Sequence, residues 1–509
     1  MTSSLASLLS ETVATSGEHA ALAHGDARFT YAQLDAAVDR LASALAVDPG
    51  EAVAVVAPNV PALVVGLFAV WRASAVAVPL SARLRRFELA RAFADSQPAV
   101  AVSVAAHAGF AIADEIEALA EDTPSLRARI VVDELGAVEH RSSSRTQERS
   151  FPLPEELAAI MYTSGTTGEP KGALVSHALA EAAARNLAAV LAEDADAPYG
   201  LVVPASHVFG LGCLLCGVVG GALAVLVDAS ATLEPLVRAL RANDARILHG
   251  TPALFGRALR ARADIGLRGG FTAGSSCPAE VLQALDEQGA RVLNAYGMTE
   301  IGAATSCRHE DPPEIRHHTV GRALPGYELR VAPGEPGEIQ VRCDWLPCGY
   351  HRRPWGEQEL TADGWFRTGD LGRLDAAGNL TISGRAKEVV HVGGFNVFPA
   401  EVESFLLTHP AIAQAAVIGV PHPVLGETLE AFVVAAGNTV LAPREVIAFA
   451  RAGIAGYKVP YAVQVLDELP LLSSGKPDRR ALAGRAGRAG TGDGEQAGGE
   501  AEAPAGGGS

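Results

Sequence analysis

Apolar and polar positions along the first 250 residues follow a repeating two-part pattern. Short, almost wholly apolar runs stand at 51–58 (EAVAVVAP), 75–80 (AVAVPL), 99–104 (AVAVSV), 128–134 (ARIVVDE) and 245–250 (ARILHG). Between them lie alanine-rich stretches of helical length, such as ALVVGLFAVWRAS at 62–74. A strand apolar on both faces belongs in a sheet covered on both sides, and strand–helix alternation builds parallel sheets. The pattern therefore predicts an α/β domain with doubly wound sheets. From about residue 319 the beat shortens to GYELRV, GEIQVRC, GWFRTGD and GNLTISGR, which predicts a small antiparallel β-barrel subdomain. After Gly384 comes an α+β piece of about a hundred residues, the size of a separate domain. The expected layout is an N-terminal domain at 1–384, a smaller C-terminal α+β domain at 385–487, and a low-complexity tail at 488–509 that should be disordered. The polar stretch HRSSSRTQERS (140–150) is expected to be a surface loop.

One segment has the length of a membrane span: VFGLGCLLCGVVGGALAVLV, residues 208 to 227, holds no charge. Five of its residues are glycine and no aromatic or basic belt flanks it. A buried helix, a turn at Gly220 and Gly221 and a buried strand ending at Asp228 fit it better, with the membrane reading as the lesser alternative. A hydrophobic content of 49% in 509 residues fits a folded chain of more than one domain. The formal charge of −17 argues against a nucleic-acid partner, because phosphate backbones attract basic surfaces. Six sparse cysteines suggest a reducing, cytoplasmic setting, and Cys213 and Cys216 read as small core residues despite their C-x-x-C spacing.

The candidate chemistry centres on MYTSGTTGEPKGALVSH at 161–177. Four hydroxyl residues and three glycines fall between Thr163 and Gly172, with Lys171 among them. An apolar strand feeding such a run is a phosphate cradle in outline: backbone amides and hydroxyls donate, and the lysine supplies charge. The run is expected to be loop rather than strand interior. It is not a Walker A loop, since Pro170 precedes Lys171 and Gly172 follows it. The chain has only four lysines, 171, 387, 458 and 476, among 41 basic residues. Where lysine persists against that bias, a compact ammonium has a use that guanidinium does not meet.

Further motifs follow in order: YGMTE (296–300), GWFRTGD (364–370), GRAKEVVHVGGFNVFPAEVE (384–403) and SSGKPDRRAL (473–482). Together with the 161–177 run they resemble the adenylate-forming superfamily, of acyl-CoA synthetase type, over nearly the whole chain. The resemblance implies ATP, Mg²⁺ and coenzyme A as cofactors. It implies phosphate and nucleotide contacts from Thr163, Ser164, Gly165, Thr166, Thr167, Gly168 and Lys171, from Gly274 and Ser275, and from Tyr296, Gly297, Thr299, Asp370 and Arg385. Glu300, and through its hydroxyl Thr163, are the implied metal ligands. Lys476 is the implied adenylation lysine. Lys387 is the hinge of a mobile C-terminal domain, and Gly393, Gly394 and Lys458 are the implied coenzyme A contacts.

The chemistry stands beside the resemblance. A carboxylate must be given a better leaving group before a thiol attacks it, and joining it to a phosphate brings two anions together, so cations and hard oxygen ligands are needed. Asp370 offers two acceptors to vicinal ribose hydroxyls. His207 is expected beside the acid's carboxylate, at the carboxyl end of an apolar strand. The acyl pocket is expected from His207, Val208, Leu211, Gly212 and Ala303. HVFGLG offers no carboxylate to hold an α-amine, and Ala295 precedes YGMTE where malonate-activating relatives carry arginine. A fatty or aryl carboxylic acid remains as substrate, with coenzyme A as acceptor. A separate acyl carrier protein as acceptor, a luciferase-like oxidation and an inactive nucleotide-binding relative stay open as alternatives. His317 and His318 are expected at the surface.

Overall fold

The strand Ala52–Ala57 is buried at every position and lies between two parallel neighbours, Val76–Ser81 and Val100–Val104. This computed structural model describes residues 4–143, 152–164, 170–228, 233–260, 265–274, 277, 279–334, 336–346, 349–385, 390–397, 399–436, 439–470 and 479–486. The helix Pro61–Arg72 crosses from the first strand to the second. Proline at its first position presets φ, and its residues 61 to 71 are all buried. Trp71 in it donates Nε1–H to Ala158 O at 2.9 Å, tying the helix to the strand Leu157–Ser164.

Nine strands make this first sheet, parallel at its centre and antiparallel at both edges. One edge corrects the sequence reading. Residues 140–143, expected in a loop, belong to the strand Val138–Ser143, which pairs antiparallel with Ala128–Val132. An edge strand open to water needs no apolar pattern, so none was visible. A second correction concerns the phosphate run. Leu157–Ser164 and Pro170–Ser176 pair as an antiparallel hairpin, with Thr163 opposite Lys171 and Ser164 opposite Pro170. The two ends of the run are thus strand.

A second nine-stranded sheet holds Ala20–His24, Ala224–Leu226, Tyr199–Leu201, Ile247–His249, Gly269–Thr272 and Arg291–Met298 in parallel. The uncharged run divides as its glycines predict. The helix Val208–Gly220 ends at Gly221 in the left-handed conformation (φ 70°), and the strand Ala224–Leu226 follows. Among the described residues no helix is long and apolar enough to cross a membrane. Cys213 and Cys216 are buried in that helix as packing residues.

The β-subdomain is a four-stranded antiparallel sheet of Tyr327–Val331, Gly337–Cys343, Phe366–Leu374 and Leu380–Arg385, hydrogen-bonded in that open order. The C-terminal domain has its own core, with Val397, Val402, Val417, Ala431 and Val446 at its centre. There Gly426–Ala435 pairs with Ile412–His422 on one side and runs parallel to Ala462–Leu466. The helices Pro399–Leu406 and Pro443–Gly453 pack on this sheet. The expected hinge residue Lys387 and the tail at 488–509 lie outside the described residues.

Candidate active site

A cavity of about 680 Å³ opens where the second sheet, the β-subdomain and the C-terminal domain meet. Its polar end is built by the strand Arg291–Met298 and the turn after it. Gly274, Tyr296, Gly297, Thr299, Glu300 and Asp370 all line it. Tyr296 Oη donates to Asp370 Oδ2 at 2.7 Å, so one expected nucleotide contact orients the other. Asp370 N–H also donates to Thr368 Oγ1 at 3.1 Å, which fixes its backbone. Arg385 is the antiparallel register partner of Asp370, so the two expected ribose-side residues are adjacent across the ladder.

Glu300 is buried and accepts a hydrogen bond from Tyr350 Oη at 2.8 Å. Lys171 Nζ lies 5.1 Å from the centroid of the same Tyr350 ring. The strand Gly349–Tyr350 is held against the phosphate hairpin, with Tyr350 opposite Ala173. Burial, then the Glu300 carboxylate, pushes the Tyr350 phenol up, so it stays a hydrogen-bond donor. Tyr350 therefore joins the expected phosphate lysine to the expected metal ligand, and no motif in the sequence pointed to it. Asn294 was missed as well. Its Nδ2 donates to Thr319 O at 3.0 Å, while its buried Oδ1 has no partner among the described residues, and the residue lines the cavity. It stands two residues before Tyr296 on one strand, hence on the same face, and that alternation was the available signal.

The site fits Mg²⁺ of the kind bound with phosphates. Among the described residues no group of three acidic, histidine or cysteine side chains forms a metal cage. That ion needs only one or two protein carboxylates when substrate phosphates and water complete its shell, and Glu300 with Thr299 beside it supplies hard oxygen donors. Thr163 and Ser164 end the strand Leu157–Ser164. Gly165, Thr166, Thr167, Gly168, Ser275 and Lys476 lie outside the described residues.

The apolar end of the cavity runs between two helices. Leu179, Ala183 and Leu187 of His177–Leu191 face Leu211, Gly212 and Leu215 of Val208–Gly220. Val208 and Ala303 line it too, as the sequence led us to expect. His207 stands at the N-terminus of the second helix, between the two ends. Its Nε2 is buried without a hydrogen-bond partner among the described residues, and its ring lies 6.1 Å from Phe395 of the C-terminal domain. Burial first, then the Lys458 and Arg83 charges, pulls His207 down to about 4, so it is neutral near pH 7.

At the mouth, the C-terminal domain presents Gly393 and Gly394. Gly394 has φ 90°, and a Cβ there would meet Thr251 Cγ2 at 2.6 Å, so no larger residue fits this approach between domains. Lys458, expected as a coenzyme A contact, lines the cavity. It is buried, and its Nζ lies 2.9 Å from Glu88 Oε1 and 2.8 Å from Glu401 Oε1. Its charge is already matched, and the surrounding anions raise its pKa despite burial. His317 also differs from expectation: it is partly buried and bonds Asp286 Oδ2 at 2.7 Å, whereas His318 is exposed.

Comparison with known proteins follows the same layout. The AMP-binding enzyme family matches residues 9–351, and the AMP-binding enzyme C-terminal domain matches 401–476. The chain is 32% identical, over 92% of its length and 95% of the relative's, to 3-[(3aS,4S,7aS)-7a-methyl-1,5-dioxo-octahydro-1H-inden-4-yl]propanoyl:CoA ligase of Rhodococcus jostii strain RHA1. It is 33% identical to feruloyl-CoA synthase of an Amycolatopsis species, over 90% of this chain and 94% of that one. Among solved structures, a double mutant of o-succinylbenzoate CoA synthetase from Bacillus subtilis, bound with its product analogue, superposes with a TM-score of 0.80 at 27% identity. That match covers 94% of this chain and 98% of the other.

Proposed function

The chain belongs to the AMP-binding enzyme family, and on that premise we propose that it activates a bulky, largely apolar carboxylic acid, fatty or ring-bearing, and passes the acyl group to coenzyme A. It is an AMP-forming acid–thiol ligase that uses ATP, Mg²⁺ and coenzyme A. In the first step a carboxylate oxygen attacks the α-phosphorus of ATP and pyrophosphate leaves. In the second the thiolate sulfur of coenzyme A attacks the acyl carbonyl and AMP leaves.

Asp370, held by Tyr296, receives the ribose hydroxyls, and the unpartnered Asn294 Oδ1 is an acceptor for the amino group of the base. Lys171 and the hairpin that carries it neutralise phosphate charge. Glu300, held by Tyr350, is the carboxylate for Mg²⁺. A neutral His207 brings no cation to the acid's carboxylate, which keeps its full negative charge for attack. Lys476 is assigned to the reacting anions by its motif alone.

The observation that carries this reading is the continuity of the cavity: nucleotide-side groups at one end, the apolar helix pair at the other, and the glycine turn of the C-terminal domain at the mouth. The apolar wall and the two CoA-ligase relatives, whose named acids both carry rings, favour the bulky class. Five described cysteines, none of them paired, agree with a cytoplasmic enzyme. The test is a panel of acids with ATP and Mg²⁺, reading pyrophosphate release with and without coenzyme A. Arylpropenoic or long-chain acids should release pyrophosphate and, with coenzyme A, give AMP and the thioester. ADP and phosphate as products, or activity confined to acetate and propionate, would overturn it.

A further inference from the structure

We propose that Glu88 is a positioning residue for the thiol-transfer step: it seats the C-terminal domain on the N-terminal one and so fixes the Gly393 and Gly394 turn at the cavity mouth. This rests on reading the cavity as the site of a CoA ligase. Glu88 lies in the helix Arg86–Ser96 of the N-terminal domain, yet its carboxylate is spent largely on the other domain. Oε1 accepts from Lys458 Nζ at 2.9 Å, and Oε2 accepts from Ala455 N–H at 3.1 Å. Oε2 also caps its own helix, accepting from Arg85 N–H at 3.0 Å. Lys458 carries the connection onward to Glu401 Oε1 at 2.8 Å. Glu401 begins two residues into the helix Pro399–Leu406, which follows the strand Phe395–Val397 and hence the glycine turn.

The three charged residues are 5%, 6% and 4% exposed, in the order Glu88, Lys458, Glu401. Lys458 and Glu401 balance each other inside the C-terminal domain, so that domain has no need of Glu88 for its own charge. Glu88 is the surplus anion, and a surplus buried charge is held only where several donors converge on it. Two of the three, Lys458 Nζ and Ala455 N–H, are present only while the domains are docked in this way. Ring contacts across the same seam share the geometry: Phe87 meets Phe405 edge-on at 5.1 Å, and the Arg83 guanidinium lies 5.9 Å from the Phe395 ring, on which Tyr457 stacks at 4.1 Å. Undocking would separate Glu88 from Lys458 and withdraw the turn from Thr251. By contrast, Asp370, Glu300, Tyr350 and Lys171 all sit on the N-terminal side and keep their mutual contacts.

The test uses the full-length chain and Glu88→Gln, which keeps an oxygen for both backbone donors but removes the charge. Cinnamic acid and synthetic cinnamoyl-AMP serve as probes. Three quantities are read: cinnamoyl-CoA formation from cinnamoyl-AMP and coenzyme A, cinnamate-dependent pyrophosphate release without coenzyme A, and amide hydrogen exchange over 390–397 and 455–458 with no acid present. Glu88→Gln should slow thioester formation by on the order of ten- to a hundredfold, the usual scale for a misplaced reacting group. Pyrophosphate release should stay within about twofold, on the same argument that its groups are undisturbed. Exchange in both segments should quicken, and Glu88→Asp should recover part of the thioester rate. A thioester rate within about twofold of wild type, on that scale, overturns the proposal, and so does an equal fall in both half-reactions. If wild type fails to activate cinnamate, that acid lies outside those the chain accepts. The exchange measurement then still decides Glu88, with faster exchange supporting the seat and unchanged exchange overturning it.

Discussion

Tyr350 holds Glu300: its hydroxyl donates to Glu300 Oε1 at 2.8 Å while its ring lies 5.1 Å from Lys171 Nζ. A single phenol thus sets the direction of the carboxylate proposed for the metal and stands beside the lysine proposed for phosphate. Tyr350→Phe keeps the ring and removes the bond. A hydrogen bond to a charged group is worth about 1.5–3 kcal/mol, so adenylation should fall by about tenfold or more. The Mg²⁺ concentration for half-maximal rate should rise. Glu300→Ala should cost on the order of a hundredfold. Pyrophosphate release across a Mg²⁺ titration reads both, and an unchanged titration for Tyr350→Phe would remove that residue from the site.

The two motif lysines outside the described residues should separate the half-reactions. Lys476→Ala should lower acyl-AMP formation by on the order of a hundredfold, as expected for loss of one charge contact at the reacting anions. Supplied acyl-AMP should still react with coenzyme A. Lys387→Pro locks φ at the hinge and should leave adenylation largely intact while thioester formation stops. Single-turnover assays of each half-reaction, on protein shown to be folded, give the answer; a normal thioester rate for Lys387→Pro would contradict the hinge.

Gly212 lines the apolar end of the cavity, the proposed acyl site. A Cβ added there would find its nearest neighbour, Leu187 Cδ1, at 3.6 Å, so alanine fits without displacement. Gly212→Ala should raise stability by up to about 1 kcal/mol, because glycine in a helix interior is disfavoured. Gly212→Leu should fill the space between the helices and lower kcat/KM for bulky acids by ten- to a hundredfold, at roughly 1–3 kcal/mol per lost methylene contact. Short acids should lose little. A uniform loss across acid sizes, measured by pyrophosphate release, would place the acyl group elsewhere.

Acid should destabilise the chain through its buried histidines. Burial pulls His177 down to about 4, where its Nδ1 accepts from Leu5 N–H at 3.2 Å, and His207 down to about 4 as well. Both are lowered groups, so above about pH 6.5 neither state carries the proton and nothing is lost. As pH falls from there towards 4, the unfolded chain binds protons that the folded chain refuses. Stability then drops by up to about 1.4 kcal/mol per pH unit for each histidine. The melting temperature should decline between pH 6.5 and 5, and His177→Gln should decline less steeply in calorimetry over that window.

The fold was legible where burial is two-sided. Ala52–Ala57 and Val100–Val104 show as apolar runs because water touches neither face. Val138–Ser143 was hidden because every residue in it but one is exposed. The phosphate run read as loop because glycine and proline favour turns, yet its ends pair as a hairpin, and a cross-strand partner is not visible from composition. In the site, residues inside motifs were found: His207, Glu300 and Asp370 line one cavity. Tyr350 and Asn294 were missed because their roles come from a neighbour brought close by folding. The ion pair of Lys458 was invisible for the same reason: its partner Glu88 is 370 positions away, and a sequence gives no sign of a salt bridge at that distance.

The buried thiols have a practical consequence. Cys213, Cys216 and Cys307 sit in the main core, Cys307 against Thr319, and Cys277 in the core of the second sheet. Burial pushes Cys216 and Cys277 up to about 12 and Cys307 up to about 11, and Cys213 is raised further by its neighbour Cys216. Only a thiolate reacts with an alkylating label, so in the native chain these sulfurs are silent at ordinary pH. Each reacts when its own layer opens. Mass spectrometry of label uptake, cysteine by cysteine, is therefore a clock for local opening in this protein, and it needs no engineered reporter and no knowledge of the acid.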